Sequence, residues 1–210
     1  TKVLTGIKNV LDEWRPSIVL VHGDTTTAMA TSMAAFYLKI PVGQIEAGLR
    51  TNNIYSPFPE EFNRQLVSRI AEFHFAPTEK ARKNLLNEHV NDENIYVTGN
   101  TVIDALLSVI QKARTTDYSV DLIRLLPFLS NKNLPKIVLV TGHRRENFGQ
   151  GFEKICQALR EIALKHLDVE IIYPVHLNPR VQEPVNRILS GVSNVILIDP
   201  LAYQDFIWLM

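Results

Sequence analysis

Asp24, Glu46, Glu60, His143 and His176 are the side chains of this 210-residue sequence best placed to carry protons. Their positions follow a rule. The apolar run at 17–21 is followed by His22-Gly23-Asp24-Thr25-Thr26-Thr27, and the run at 42–45 by Glu46-Ala47-Gly48-Leu49-Arg50-Thr51. A loop then ends in Pro57-Phe58-Pro59-Glu60-Glu61 and opens a helical stretch holding Asn63 and Arg64. Further on, a run at 137–140 leads into Gly142-His143-Arg144-Arg145-Glu146-Asn147, and one at 170–173 leads to His176-Leu177-Asn178-Pro179. In open α/β sheets ligands bind beyond the carboxyl ends of the strands, which is where these polar groups gather.

Each group also has a plainer reading. Asp24 suits the N-cap of the helix starting at Thr25. Glu46, ending an apolar strand, needs a partner if buried, and Arg50 or Arg64 is available by spacing. Glu60 and Glu61 fall in the first turn of a helix behind Pro59, where acidic residues complement the macrodipole. His74 lies between Phe73 and Phe75 and reads as structural, while His89 and His166 read as helix-end residues. Cys156, in the pattern Phe152, Ile155, Cys156, Leu159, reads as a buried, inert thiol.

Other chemistries lack their signatures. A lone cysteine excludes an internal disulfide and a multi-cysteine metal site. The sequence has no His-Glu-x-x-His, no Gly-x-Ser-x-Gly and no Gly-x-Gly-x-x-Gly, so neither metal, acyl-enzyme nor nicotinamide chemistry is signalled. Twenty-two basic residues balance 22 acidic ones, which leaves no electrostatic footprint for nucleic acid. No apolar run reaches membrane-spanning length and the first residues do not resemble a signal peptide, so a cytoplasmic setting is expected. Carboxylates, histidines and helix N-termini able to hold phosphate remain, a set suited to proton transfer on a diphosphate-bearing substrate.

These residues need elements to hold them in place. The strand at 17–21 is continuously apolar and β-branched, which predicts burial on both faces. Helices are predicted over 25–38, from 60 to about 70, from Thr78 onward and over 102–113, alternating with strands at 42–45, 73–76 and 95–97. From 114 to 135 the rhythm breaks into linker chemistry, with Pro127, Asn131, Asn133 and Pro135 around one short helix near 122–126. Strands at 137–140, 170–173 and 195–197 then alternate with helices at 151–166 and 181–189. The expectation is an α/β chain of two doubly wound, Rossmann-like parallel-sheet halves covered by helices on both faces. The expected bounds are 1–114 for the first half, 115–135 for the linker and 136–210 for the second. The chain begins in a helical pattern (Val3, Ile7, Val10, Leu11, Trp14) and stops at Phe206-Ile207-Trp208-Leu209-Met210 without a stop signal, so both halves read as incomplete.

At these residues the chain resembles the non-hydrolysing UDP-N-acetylglucosamine 2-epimerases. The resemblance rests on VHGDTTTAMATS (21–32), IEAGLRT (45–51), YSPFPEEFNR (55–64), VTGNTVIDAL (97–106), VTGHRRENFGQGFE (140–153), YPVHLNP (173–179) and NVILIDPLAYQDF (194–206), in family order. It implies a GT-B-like pair of Rossmann-like halves with a nucleotide sugar in the cleft, and inversion at C2 without a cofactor. The implied route removes the C2 proton with elimination of UDP, then adds UDP back as a proton arrives on the other face. By position, Asp24, Glu46 and Glu60 match the acidic residues of proton transfer, and Arg64 an arginine beside them. His143 matches the histidine on the UDP side; Leu201 and Phe206 match positions that hold uracil by backbone contact and stacking. Arg144 and His176 match residues tied to a second, regulatory UDP-N-acetylglucosamine, and a homodimer is implied. The family's Gly-Thr-Arg-Pro-Glu, Asp-Ser-Gly-Gly and Thr-Glu-Arg-Pro-Glu segments are missing, which implies weak UDP binding and little or no turnover by the 210 residues alone. Gln44 stands where many relatives carry His. The rival readings are a hydrolysing 2-epimerase, a GT-B-type glycosyltransferase and a non-catalytic nucleotide-binding module.

Overall fold

Short β-branched runs alternate with amphipathic stretches, and the chain folds accordingly into parallel strands joined by helical crossovers. The computed structural model describes residues 2–113, 119–142 and 149–210, which fall into two compact units, Thr1–Ile103 and Asp104–Met210.

The first unit runs α1 (Lys2–Trp14), β1 (Val19–His22), α2 (Thr26–Tyr37), β2 (Val42–Ile45), α3 (Glu60–Ile70), β3 (Phe73–Ala76), α4 (Glu79–Asn87) and β4 (Ile95–Val97). Its sheet has the order β1-β2-β3-β4, every pair parallel. His22 pairs with Ile45 and Ile45 with Phe75, so β1 and β2 end level and deliver Asp24 and Glu46 to one edge. Register puts Val19, Val21, Val42, Gln44, His74, Ala76 and Ile95 on one face. There Leu11 of α1, Ala28, Ala34 and Ala35 of α2 and Val67 of α3 pack on Val21 and Val42. Ala81 and Leu85 of α4 pack on Ala76 and Ile95 of the same face. The opposite face carries Leu20, Gly43, Phe75 and Tyr96, with Leu20 58% exposed and the Phe75 and Tyr96 rings stacked. The expected burial of the first strand on both faces is therefore not observed. That strand also begins two residues later than predicted and is the outermost of the four strands described, with α1–α4 all on its other side.

α5 (Thr101–Ala113) crosses the division between the units, and α6 (Ser119–Leu125) opens the rest of the second. A 3₁₀ turn (Pro127–Ser130) leads to β5 (Lys136–Leu139), α7 (Gln150–Lys165), β6 (Val169–Pro174), α8 (Pro179–Leu189), β7 (Val195–Ile198) and α9 (Tyr203–Leu209). The sheet β5-β6-β7 is again parallel. Here both faces are covered. Phe152 and Cys156 of α7 and Val181, Val185 and Leu189 of α8 pack on Tyr173, while Leu126, Phe128 and Leu209 join Ile172 and Ile198 on the other side. Asn194 staples the unit from within, its Nδ2 donating to the carbonyls of Ala163, His166 and Val169. Burial pushes the Cys156 thiol up to about 11, in keeping with an inert core cysteine.

Candidate functional site

β1 ends in a turn through Gly23, whose φ of +72° favours glycine. Thr25, not Asp24, is the N-cap of α2: its hydroxyl accepts from the Ala28 amide at 3.1 Å. Asp24 is left free for another partner and finds it in α3. Arg64 donates to Asp24 Oδ2 from Nε at 2.8 Å, with Nη2 2.6 Å from the same oxygen. Asn63 Nδ2 donates to the Asp24 carbonyl at 2.8 Å. Two consecutive α3 residues thus hold both the backbone and the side chain of Asp24. Among the described residues nothing donates to Oδ1.

Glu46 follows β2 with a φ of +65°, a conformation that costs a β-carbon-bearing residue energy and recurs at working sites. Neither expected arginine pairs with it. Arg50, its side chain 1% exposed, bonds Glu88 with Nε at 2.6 Å and Nη2 at 2.8 Å, and also reaches Ser68. Arg64 is taken by Asp24 and Glu61. The polar neighbour of Glu46 is His22, with Nε2 3.8 Å from Glu46 Oε2. Next along the edge, Gly48 has a φ of +84°, and a β-carbon there would lie 2.3 Å from the Ala81 carbonyl oxygen. The turn after Glu46 can pass α4 only as glycine.

Glu60 is the first residue of α3 and lies one helical turn before Arg64, on the same side of the helix. Its side chain makes no bond to another described residue. Glu61 behaves differently. It is fully buried and accepts from the amides of Thr51 (3.1 Å) and Asn52 (3.2 Å), from Gln65 (3.2 Å) and from Arg64 Nη1 (3.3 Å). Burial alone would raise its carboxyl, but the bonds from Thr51, Gln65, Asn52 and Arg64 outweigh that and hold it below the ordinary value. His74 is buried on the helix-packed face of the sheet, and burial lowers its imidazole, with the Arg50 charge adding to the effect. This agrees with its structural reading. Gln44 is buried and accepts from Ser68 at 3.0 Å.

In the second unit, His176 follows β6 and accepts the Asn178 amide on Nδ1 at 3.1 Å, while Asn178 caps α8. Leu201 packs on the Leu126–Ile172–Ile198 cluster. The amide of Phe206 donates to the carbonyl of Ala202, the N-cap of α9. His143 and Arg144 lie outside the described residues.

Asp24 and Glu46 therefore share one sheet edge, where Arg64 of α3 pairs with Asp24 and Glu60 lies one helical turn before Arg64. Sequence reasoning passed over three members. His22 carries the strand-end signal but was not singled out. Asn63 and Glu61 were readable only as helix residues, although Glu61 precedes Arg64 by three, the spacing of an ion pair on one helix face.

Two parallel-sheet units with a carboxylate-rich strand edge define an α/β protein of the GT-B type, the class built from paired Rossmann-like halves. Within that class the chain belongs to the UDP-N-acetylglucosamine 2-epimerase family, whose model matches residues 1–210. A UDP-N-acetylglucosamine 2-epimerase of Salmonella typhimurium is 59% identical over 210 residues, covering 100% of this chain and 55% of that protein. The crystal structure of the UDP-GlcNAc 2-epimerase from Neisseria meningitidis bound to UDP-GlcNAc matches with a TM-score of 0.93 at 47% identity, over 99% of this chain and 55% of that one. The Methanocaldococcus jannaschii enzyme in complex with UDP-GlcNAc and UDP matches with a TM-score of 0.76 at 32% identity, over 98% of this chain and 55% of that one. The chain spans about half the length of the curated relatives it matches. Among the described residues no helix is long and apolar enough to cross a membrane.

Proposed function

We propose that the protein carrying this chain interconverts UDP-N-acetylglucosamine and UDP-N-acetylmannosamine by inversion at C2. The observation that carries the reading is the placement of two carboxylates on one sheet edge, one of them fixed by Arg64 and one held at a left-handed backbone position. Proton removal and return on opposite faces of a sugar ring require an acid and a base that are separately anchored. Asp24 is anchored through α3 and Glu46 through the β2 turn, so the two sit on independent supports. Glu60 lies a helical turn from the guanidinium. In this reading Asp24, Glu46 and Glu60 move the protons and Arg64 orients Asp24. His143 stabilises the departing UDP, and Leu201 with the Phe206 ring receives the uracil. No cofactor is invoked, because the elimination and re-addition of UDP leave no net oxidation to balance.

We infer the non-hydrolysing course, a homodimer in the cytoplasm, and a second UDP-N-acetylglucosamine held near Arg144 and His176 as an activator. The sequence-based domain bounds, 1–114 and 136–210 around a linker, belong to the same reading. Proton NMR of UDP-N-acetylglucosamine with the full-length gene product in D2O tests it. Deuterium at C2 and a steady mixture of the two UDP-sugars are expected. Free N-acetylmannosamine would instead mark a hydrolysing enzyme, and an unchanged C2 signal would overturn the epimerase reading.

A further inference from the structure

Glu61 is the one fully buried carboxylate at this edge, and it touches more of the site's framework than any residue assigned a role above. Its Oε2 accepts from the Thr51 amide and faces Arg64 Nη1, while Oε1 accepts from the Asn52 amide and from Gln65. Thr51 and Asn52 belong to the loop that leaves the Glu46 turn and returns to Glu60. Arg64 carries the same guanidinium on to Asp24. A single buried group therefore ties the exit from Glu46, the start of α3 and the arginine that orients Asp24.

We propose that Glu61 is a positioning residue for the C2 chemistry, setting where Asp24 and Glu60 stand by clamping Arg64 and the 51–52 amides. The inference rests on the epimerase reading. Glu61 touches no reacting atom; it acts through Arg64, whose fork is shared between the Asp24 and Glu61 carboxylates at 2.6 and 3.3 Å. A shared, always charged guanidinium is a rigid spacer, because its planar donors fix the angle between the two acceptors. Displacing a proton-transfer group by about an ångström costs about a hundredfold in rate without removing any substrate contact.

Steady-state kinetics of the full-length gene product, with UDP-N-acetylglucosamine and the E61Q and E61D variants, test this. The wild type should exchange C2 hydrogen, and E61Q should lose about a hundredfold in kcat with KM within about threefold. E61D keeps the charge but retracts it, and should recover about tenfold of that loss at unchanged melting temperature. Should E61Q not fold, E61D alone carries the test, with about a tenfold lower kcat at unchanged KM. An active wild type with either variant at wild-type kcat overturns the role of Glu61 and leaves the epimerase reading intact. So does a kcat loss that E61D does not relieve and that follows a parallel loss of thermal stability. A wild type without C2 exchange overturns both.

Discussion

The two sheets are built from similar apolar runs, yet they bury different chemistry. In the second unit, Ile171, Ile172 and Tyr173 of β6 are all buried, with α7 and α8 on one face and Leu126, Phe128 and Leu209 on the other. In the first unit, β1 buries Val21 and leaves Leu20 exposed, and the packed face holds Gln44, His74, Ser68, Asn63 and Glu61 among its apolar residues. Several of those polar groups are linked in a network: Ser68 bonds Gln44 and Arg50, Arg50 bonds Glu88, and Arg64 bonds Asp24 and Glu61, while Gln44 Nε2 and His74 Nδ1 find no partner among the described residues. One unit is held by packing, and the other holds a charged network in a set geometry. Networks of that kind are costly when broken and specify position more than they add stability.

The sharpest way to break the comparison is to fill the space that the network's turn occupies. Gly48→Ala places a β-carbon against the Ala81 carbonyl at a φ of +84°, and should cost more than about 4 kcal/mol or prevent folding. Urea denaturation of the full-length gene product measures it, and a stability near wild type would mean that the 47–49 turn is not pinned on α4. The next effect contrasts the sheets directly. In the 210-residue chain, Ile172→Ala should cost about 2–5 kcal/mol because both faces of β6 are packed, whereas Leu20→Ala on the face of β1 that residues 1–210 leave open should cost less than about 1 kcal/mol. Equal losses would erase the distinction between the two sheets.

A smaller effect reads the apolar interior of the second unit through pH. The Cys156 thiol is raised by burial from an ordinary 9.0 to about 11, so the unfolded chain gives up its proton first as pH rises. The stability it contributes is complete below about pH 9 and is lost as pH climbs through about 11. Native protein at pH 8 should therefore resist iodoacetamide at Cys156, and unfolded protein should react within minutes. Mass spectrometry of the alkylated peptide distinguishes the two, and rapid native labelling would contradict the buried placement.

Much of this was legible beforehand because periodicity and strand-end position are local properties. The strands at 42–45, 73–76 and 95–97 and the helix beginning at Glu60 stand where the pattern put them, since each apolar run is bounded by turn residues. The burial of the first strand was not legible. A continuous run such as Ile18-Val19-Leu20-Val21 says that a strand forms, while the covering of its second face is decided by where the crossovers land. Partner choice was illegible for the same reason. Spacing allowed Glu46 to meet Arg50 or Arg64, but in the fold Arg50 pairs with Glu88 beyond α4 and Arg64, carried by α3, pairs with Asp24. The N-cap likewise passed from Asp24 to Thr25, one residue on, and that single step is what frees the carboxylate. α9, at 203–209, had no predicted counterpart, its apolar run being too short to show a period.

We propose above all that the carboxylate edge of the first unit moves the C2 proton. Its most direct test is the rate of hydrogen–deuterium exchange at C2 of UDP-N-acetylglucosamine, compared among the wild-type full-length gene product and its D24N, E46Q and E60Q variants. The account predicts losses of about a hundredfold to ten-thousandfold in each, with the fold retained. Exchange within a few-fold of wild type in all three would contradict it, and would place the proton chemistry away from Asp24, Glu46 and Glu60.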